Sequence, residues 1–267
     1  MEYTLYEEFP TDENLERIDL FRNPVNLIVA SPSLAEFQNL ESRIRRSTDK
    51  IKRVGYWPTL HKDEGYWLSP FSDEKALDRV LAEVEERTTQ DQPILFHWDA
   101  EIPLKSPGRI ILPTNFQKNK QRIKEFLEQH KSYGVDLVVS EWPNCLVPEQ
   151  IQEFLGVSFN PEQYNFKKVK MLYTSFAKYF PGSSIPRTIF ERLLEQEASR
   201  GIAKYGTHFS IALGCLSLGV FSHEPILSPK ELHEDLSTLR RLGLNGVYIY
   251  RLGGVNKDIA QIMEDID

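Results

Sequence analysis

Two short segments of the sequence place carboxylates beside tryptophan in otherwise apolar surroundings. They are His97-Trp-Asp-Ala-Glu101 and Ser140-Glu-Trp-Pro143. The pKa of a carboxyl group in such a place is raised by burial or lowered by a neighbouring cation, which is how proteins obtain proton donors and acceptors near neutral pH. We therefore predict that Asp99, Glu101 and Glu141 form a catalytic acid/base group.

Large aromatic residues cluster near the same carboxylates. All four Trp residues of the chain fall in these segments or in the segment 57–72. A flat aromatic ring can bind the apolar face of a sugar ring or a nucleobase, although large aromatics also pack loops onto a core. The residues that we predict to bind substrate are Tyr56, Trp57, Trp67, His97, Trp98, Trp142, Tyr173, Tyr250 and Arg251.

Three functions fit this set of residues. Two carboxyl groups flanking a glycosidic bond supply general acid and nucleophile or base, which predicts a hydrolase acting on a small sugar-containing molecule or an oligosaccharide, with no cofactor and no metal ligand. The first alternative is a sugar isomerase or phosphodiesterase that holds a divalent metal with the same acids and His97 or His223. The second is a barrel that binds a sugar or a lipid headgroup without turnover.

The strands and helices that position these residues can be predicted from the hydrophobic periodicity of the sequence. Short β-branched or aromatic runs alternate with longer amphipathic segments along the whole chain. The predicted strands are 3–8, 25–30, 51–56, 93–98, 135–140, 169–174, 208–213 and 246–250. The predicted helices that follow them are 12–21, 33–48, 73–87, 116–133, 148–155, 186–203, 229–242 and 257–266.

Eight strand-then-helix units predict an α/β protein with a parallel sheet closed into a (β/α)8 TIM barrel, as a single domain over residues 1–267. No Gly-x-Gly-x-x-Gly follows the first strand, which argues against a dinucleotide-binding sheet. If 3–8 is not a strand, the barrel has seven strands or is open. We expect enlarged loops after strands 3, 4, 5 and 7, at 57–72, 99–115, 141–147 and 214–228, on the face where barrel enzymes keep their chemistry.

Bulk properties exclude several classes of protein. The net charge of −7 argues against nucleic acid or an anionic membrane surface as the main partner. No apolar stretch approaches the roughly 18 residues of a membrane span, and residues 1–10 lack a secretory signal pattern. The only cysteines, Cys145 and Cys215, do not make a disulfide framework, so we expect a cytoplasmic protein.

Three segments carry a resemblance to known proteins: Gly55-Tyr-Trp-Pro58, Glu64-Gly-Tyr-Trp-Leu-Ser-Pro-Phe71 and Gly246-Val-Tyr-Ile-Tyr-Arg-Leu-Gly-Gly254. The chain resembles bacterial barrel proteins without an assigned activity and, more broadly, glycoside-hydrolase-like (β/α)8 barrels. In the largest such group the acid/base Glu follows strand 4 and a nucleophilic Glu follows strand 7. Asp99 and Glu101 match the strand-4 place loosely, whereas the first acid after strand 7 is Glu224.

Overall fold

The chain forms a closed barrel of eight parallel strands, each paired with the next in sequence and β8 paired with β1. This is a computed structural model that describes residues 1–88, 93–103, 108, 110, 115–179, 186–219 and 222–266. The strands are β1 Glu2–Glu7, β2 Val25–Ser31, β3 Ile51–Pro58, β4 Ile94–Asp99, β5 Val135–Glu141, β6 Lys167–Met171, β7 Phe209–Gly214 and β8 Gly246–Tyr250. The predicted (β/α)8 barrel is confirmed, including its first strand.

The connections between strands carry helices, as parallel pairing requires. The described helices are α1 Asp12–Leu15, α2 Leu34–Ser47, α3 Glu74–Thr88, α4 Phe116–Gln129, α5 Glu149–Leu155, α6 Pro161–Tyr164, α7 Arg187–Tyr205, α8 Pro229–Arg241 and α9 Lys257–Asp265. Side-chain caps fix several starts: Ser33 accepts from the Glu36 N–H, and Ser228 with Glu231 forms a capping box at α8. No helix in the described residues is long and apolar enough to cross a membrane.

Two elements differ from the predicted bounds for identifiable reasons. The first helix is a single α-turn, α1, that continues as a 3-10 helix over Glu16–Leu20. Strand β6 begins at Lys167, earlier than predicted. The prediction missed this start because Lys168 and Lys170 interrupt the apolar pattern, although both side chains are buried. The predicted loop 99–115 lies largely outside the described residues.

The interior is divided into two apolar layers by the alternation of side chains along each strand. The larger layer fills the space between the strands and the helices. The smaller layer lies inside the barrel and includes Tyr6, Ile28, Trp57, Val169 and Tyr250. Adjacent residues on one strand therefore belong to different layers, and this decides which side chains can reach the mouth of the barrel.

Candidate active site at the carboxyl ends of the strands

A cavity of ≈ 260 Å³ opens at the carboxyl ends of the strands. Among the described residues, its lining comes from the ends of β1, β3, β4, β5, β6 and β8 and from the segments that follow β1 and β3 through β7. Six of the lining side chains are Tyr or Trp, and four are the carboxylic acids Glu8, Asp99, Glu101 and Glu224. The volume is just below the roughly 300–1,000 Å³ of pockets for drug-sized ligands, so the cavity suits a small ligand or one end of a larger one.

Strand β4 directs His97 and Asp99 into the barrel, and Glu101 follows on the same side. Burial raises the pKa of Asp99 well above its usual range, the charges of Glu101 and Glu8 raise it further, and a hydrogen bond from Trp67 opposes the shift. Burial also raises the pKa of Glu101 to about 7, against a hydrogen bond with Trp142. Both carboxyl groups therefore retain a proton at a higher pH than ordinary acidic side chains do.

A third carboxylate, Glu8, lies just past the end of β1. Glu8 is buried, and its Oε1 accepts a hydrogen bond of 2.5 Å from the Tyr66 hydroxyl. Its Oε2 accepts a second hydrogen bond from the Tyr250 hydroxyl. Glu8 was not among the predicted site residues, although the alternation along β1 puts it on the same face as Tyr6, two residues earlier.

The inner wall below the acids carries a short chain of hydrogen bonds. The Tyr6 hydroxyl and the Ser140 Oγ are 2.8 Å apart, and the Ser140 Oγ is 2.8 Å from the His97 Nε2. Burial lowers the pKa of His97 to about 3, so its imidazole is neutral near pH 7. Neither Tyr6 nor Ser140 was among the predicted site residues.

Three buried polar atoms of the lining have no hydrogen-bond partner among the described residues: Trp57 Nε1, His97 Nδ1 and Asp99 Oδ1. A buried polar atom without a partner costs free energy, on the order of 1–3 kcal/mol, unless water or a ligand satisfies it. These atoms are therefore available to a polar ligand at the inner end of the cavity.

The structure brings most of the predicted site residues to this cavity. Of the predicted acids, Asp99 and Glu101 line it. The predicted binding residues that line it are Trp57, Trp67, His97, Trp142, Tyr173 and Tyr250. Glu141, Tyr56, Trp98 and Arg251 lie elsewhere.

The predicted placement of Glu141 at the mouth is wrong. Ser140 faces into the barrel, so Glu141, the next residue on β5, faces outward into the layer beneath the helices. There its Oε2 lies 2.8 Å from the Lys170 Nζ and 3.1 Å from the Lys168 Nζ, and it accepts a hydrogen bond of 2.8 Å from the Ser158 hydroxyl. All three charged side chains are fully buried, so Glu141 is a structural counter-ion.

The same alternation explains why two other predicted binding residues, Tyr56 and Trp98, do not line the cavity. Tyr56 precedes the inward-facing Trp57 and stacks in the outer layer. Trp98 lies between His97 and Asp99, faces outward, and donates its indole N–H to the Leu68 carbonyl at 2.5 Å. These two side chains pack the barrel against its covering helices and loops, and neither is among the described lining of the cavity.

Arg251 follows β8 directly but is turned away from the cavity. Its Nη1 donates to the Glu7 Oε1 at 2.6 Å, and its Nε donates to the Leu218 carbonyl at 2.9 Å. Because Glu7 also accepts the Gly253 N–H at 2.7 Å, this pair holds the end of β1 to the loop after β8. The predicted role of Arg251 in substrate binding is not supported by this geometry.

Among the described residues, no three His, Cys, Asp or Glu side chains are grouped in a way that could hold a metal ion. The ligand set that we considered for a divalent metal is divided by the barrel wall, because Glu141 lies outside it.

Known proteins match this chain in three-dimensional structure but not in sequence. No protein-family profile and no curated protein sequence matches the chain. A chitinase from Chromobacterium violaceum has 12% identity and a TM-score of 0.57, over 99% of this chain and 98% of that one. A spore cortex-lytic enzyme from Bacillus megaterium has 12% identity and a TM-score of 0.54, over 99% and 73%. A xylose isomerase domain protein from Planctomyces limnophilus has 12% identity and a TM-score of 0.51, over 100% and 94%. At this identity the likeness establishes that the chain has the barrel fold of these proteins.

Proposed function

We propose that the protein hydrolyses a glycosidic bond in a small sugar-containing molecule or an oligosaccharide, with Glu101 as the proton donor. The observation that carries this proposal is the Asp99 and Glu101 pair in an aromatic-walled cavity at the carboxyl ends of the strands. A general acid works best when its pKa lies near the working pH, and the pKa of Glu101 is raised to about 7.

The protonated form of Glu101 would give its proton to the oxygen that leaves the sugar. Asp99 is two residues earlier on the same face and more deeply buried, and the charge of Glu101 disfavours its ionisation. Glu101 would therefore be available as a proton donor near neutral pH. Trp142 contacts Glu101 through its hydrogen bond, which would orient the carboxyl toward the substrate.

The walls and the size of the cavity suit a sugar. Trp57, Trp67, Trp142, Tyr173 and Tyr250 present ring surfaces, and the unpartnered Trp57 Nε1 and His97 Nδ1 could bind hydroxyl groups. Two of the solved structures that share this fold are a chitinase and a spore cortex-lytic enzyme, which agrees with a hydrolase. The volume of ≈ 260 Å³ favours binding of one end of an oligosaccharide.

The test compares release of sugar with binding of sugar. Wild-type protein is assayed on a panel of nitrophenyl glycosides and unlabelled oligosaccharides, and binding is followed by tryptophan fluorescence. We expect Glu101→Gln to abolish release while binding and the melting temperature persist. Glu128→Gln is the matched control, because Glu128 is an exposed residue of α4. Full activity of Glu101→Gln would overturn the proposal, and tight binding without release by wild type would favour a non-catalytic sugar-binding barrel.

A further inference from the structure

Glu8 is fixed at the cavity by two phenolic hydroxyls that come from opposite sides. Tyr66, in the loop after β3, donates to Oε1 at 2.5 Å, and Tyr250, at the end of β8, donates to Oε2. Only 6% of Glu8 is exposed, yet it lines the cavity. The barrel thus holds a carboxylate there in a single orientation.

Each carboxylate oxygen of Glu8 accepts a hydrogen bond from one phenol. Hydrogen bonds donated to a carboxylate stabilise its charge. Burial, together with the nearby charge of Glu8, raises the pKa of both Tyr66 and Tyr250, so both keep the protons that they donate. No Lys or Arg is found among the described residues that line the cavity. Glu8 is therefore a lining carboxylate whose two oxygens are held by phenol donors and not by a cation among the described lining residues.

The position of Glu8 relative to the acid pair is set by the barrel. Strand β1 is separated from β4 by β2 and β3, so Glu8 faces the cavity from a different side than Asp99 and Glu101. The electrostatic influence of Glu8 nevertheless reaches both, since it contributes to the raised pKa of each. A sugar in the cavity would lie between a proton donor and a fixed anion.

We propose that Glu8 is the second catalytic carboxylate of this site, an anion that stabilises positive charge on the sugar ring as the glycosidic bond breaks. This inference rests on the proposed hydrolysis. The bonding electrons pass to the leaving oxygen, which takes the proton of Glu101, and the positive charge spreads over the anomeric carbon and the ring oxygen. Water then adds to the anomeric carbon and returns a proton to the Glu101 carboxylate. Both oxygens of Glu8 accept hydrogen bonds, which makes it a weak nucleophile and suits it to an electrostatic role.

The experiment replaces Glu8 by Gln, which keeps the size and can still hydrogen-bond to both phenols. We expect kcat to fall by about 100-fold, as on loss of one charge-stabilising group at a reacting centre, while the Kd for a bound sugar stays within a few-fold. The pH at which residual activity declines should also shift downward, because a negative charge near Glu101 is gone. A purely structural role for Glu8 would not move this pH profile. Asp63→Asn is the matched control, since Asp63 is an exposed carboxylate of the loop after β3.

Two outcomes separate this inference from the function on which it rests. If Glu101→Gln is inactive and Glu8→Gln keeps full activity, the role of Glu8 is overturned and the hydrolase remains. If Glu101→Gln is fully active, the hydrolase itself is overturned. Should Glu8→Gln fail to fold, Tyr66→Phe removes one hydrogen bond from the carboxylate, and an unchanged kcat in that variant would overturn the role of Glu8.

Discussion

Replacement of Glu141 by Gln should lower the stability of the fold and leave the cavity unchanged. The Glu141 Oε2 lies between two ammonium groups, 2.8 Å from the Lys170 Nζ and 3.1 Å from the Lys168 Nζ, and all three side chains are fully buried. In the variant, two buried cations lose their shared counter-ion. Lys168 retains an ion pair with Glu149 at 3.3 Å, whereas Lys170 retains hydrogen bonds to the Trp142 carbonyl and to Gln152 and the more distant charge of Glu197.

The expected cost is large because a buried charge is left without its partner. Breaking a buried ion pair from one side typically costs about 3–5 kcal/mol. A loss of 1 kcal/mol lowers the melting temperature of a chain of this general size by about 2–4 °C. The melting temperature of Glu141→Gln should therefore fall by roughly 10 °C, within a range of about 6–20 °C.

The measurement is thermal unfolding by circular dichroism, with hydrolysis assayed well below the transition and expressed per folded molecule. The double variant Glu141→Gln with Lys170→Met should recover part of the lost stability, because it removes one of the two unbalanced cations. A melting temperature within about 2 °C of wild type, combined with loss of hydrolysis, would refute the structural reading and return Glu141 to the catalytic group.

Further predictions concern the cavity and its surroundings. Gly219→Ala should lower hydrolysis several-fold, because its new Cβ would lie 2.1 Å from the Tyr250 hydroxyl oxygen and would displace it; a wild-type rate would contradict this. The rate of hydrolysis should fall as the pH rises through about 7, where Glu101 loses its proton, and a rate that rises there would exclude Glu101 as the acid. Burial raises the pKa of Asp235 to about 6 from an ordinary 3.8, against a hydrogen bond from Thr174. The contribution of this group to stability is therefore full below pH 3.8 and is lost as the pH rises through about 6. Asp235→Asn should flatten that part of the curve of melting temperature against pH.

The hydrophobic periodicity predicted the barrel architecture correctly, because parallel strands that are buried on both faces are strongly apolar in sequence. It failed at β6, where Lys168 and Lys170 look like surface residues and are instead buried against Glu141. Two buried lysines at alternate positions of a strand require an anion nearby. This pattern could have predicted that Glu141, on the neighbouring strand, pairs with them.

The cavity lies at the end of the barrel where the site was predicted, but some of the predicted side chains face away from it. Tyr56 and Trp57 are consecutive on β3, so only one of them can point inward. The same is true of His97 and Trp98 on β4. The composition of a strand end does not tell which of two neighbours faces the cavity. That choice depends on the register of the strand, which the inward-facing Tyr6 sets for Glu8.

Hydrogen bonds between the ends of β1 and β8 make the geometry of the cavity depend on closure of the barrel. Glu7 and Glu8 bind Arg251 and Tyr250 across 244 and 242 residues of chain, one pair outside the barrel wall and the other inside. A truncated chain that lacks the last strand would still carry Asp99 and Glu101 but would have Glu8 held by Tyr66 alone. With Glu8 in its proposed role, turnover would require this closure and would report on completion of the barrel during refolding. A circular permutant cut elsewhere should keep that competence, provided the same two strand ends still meet.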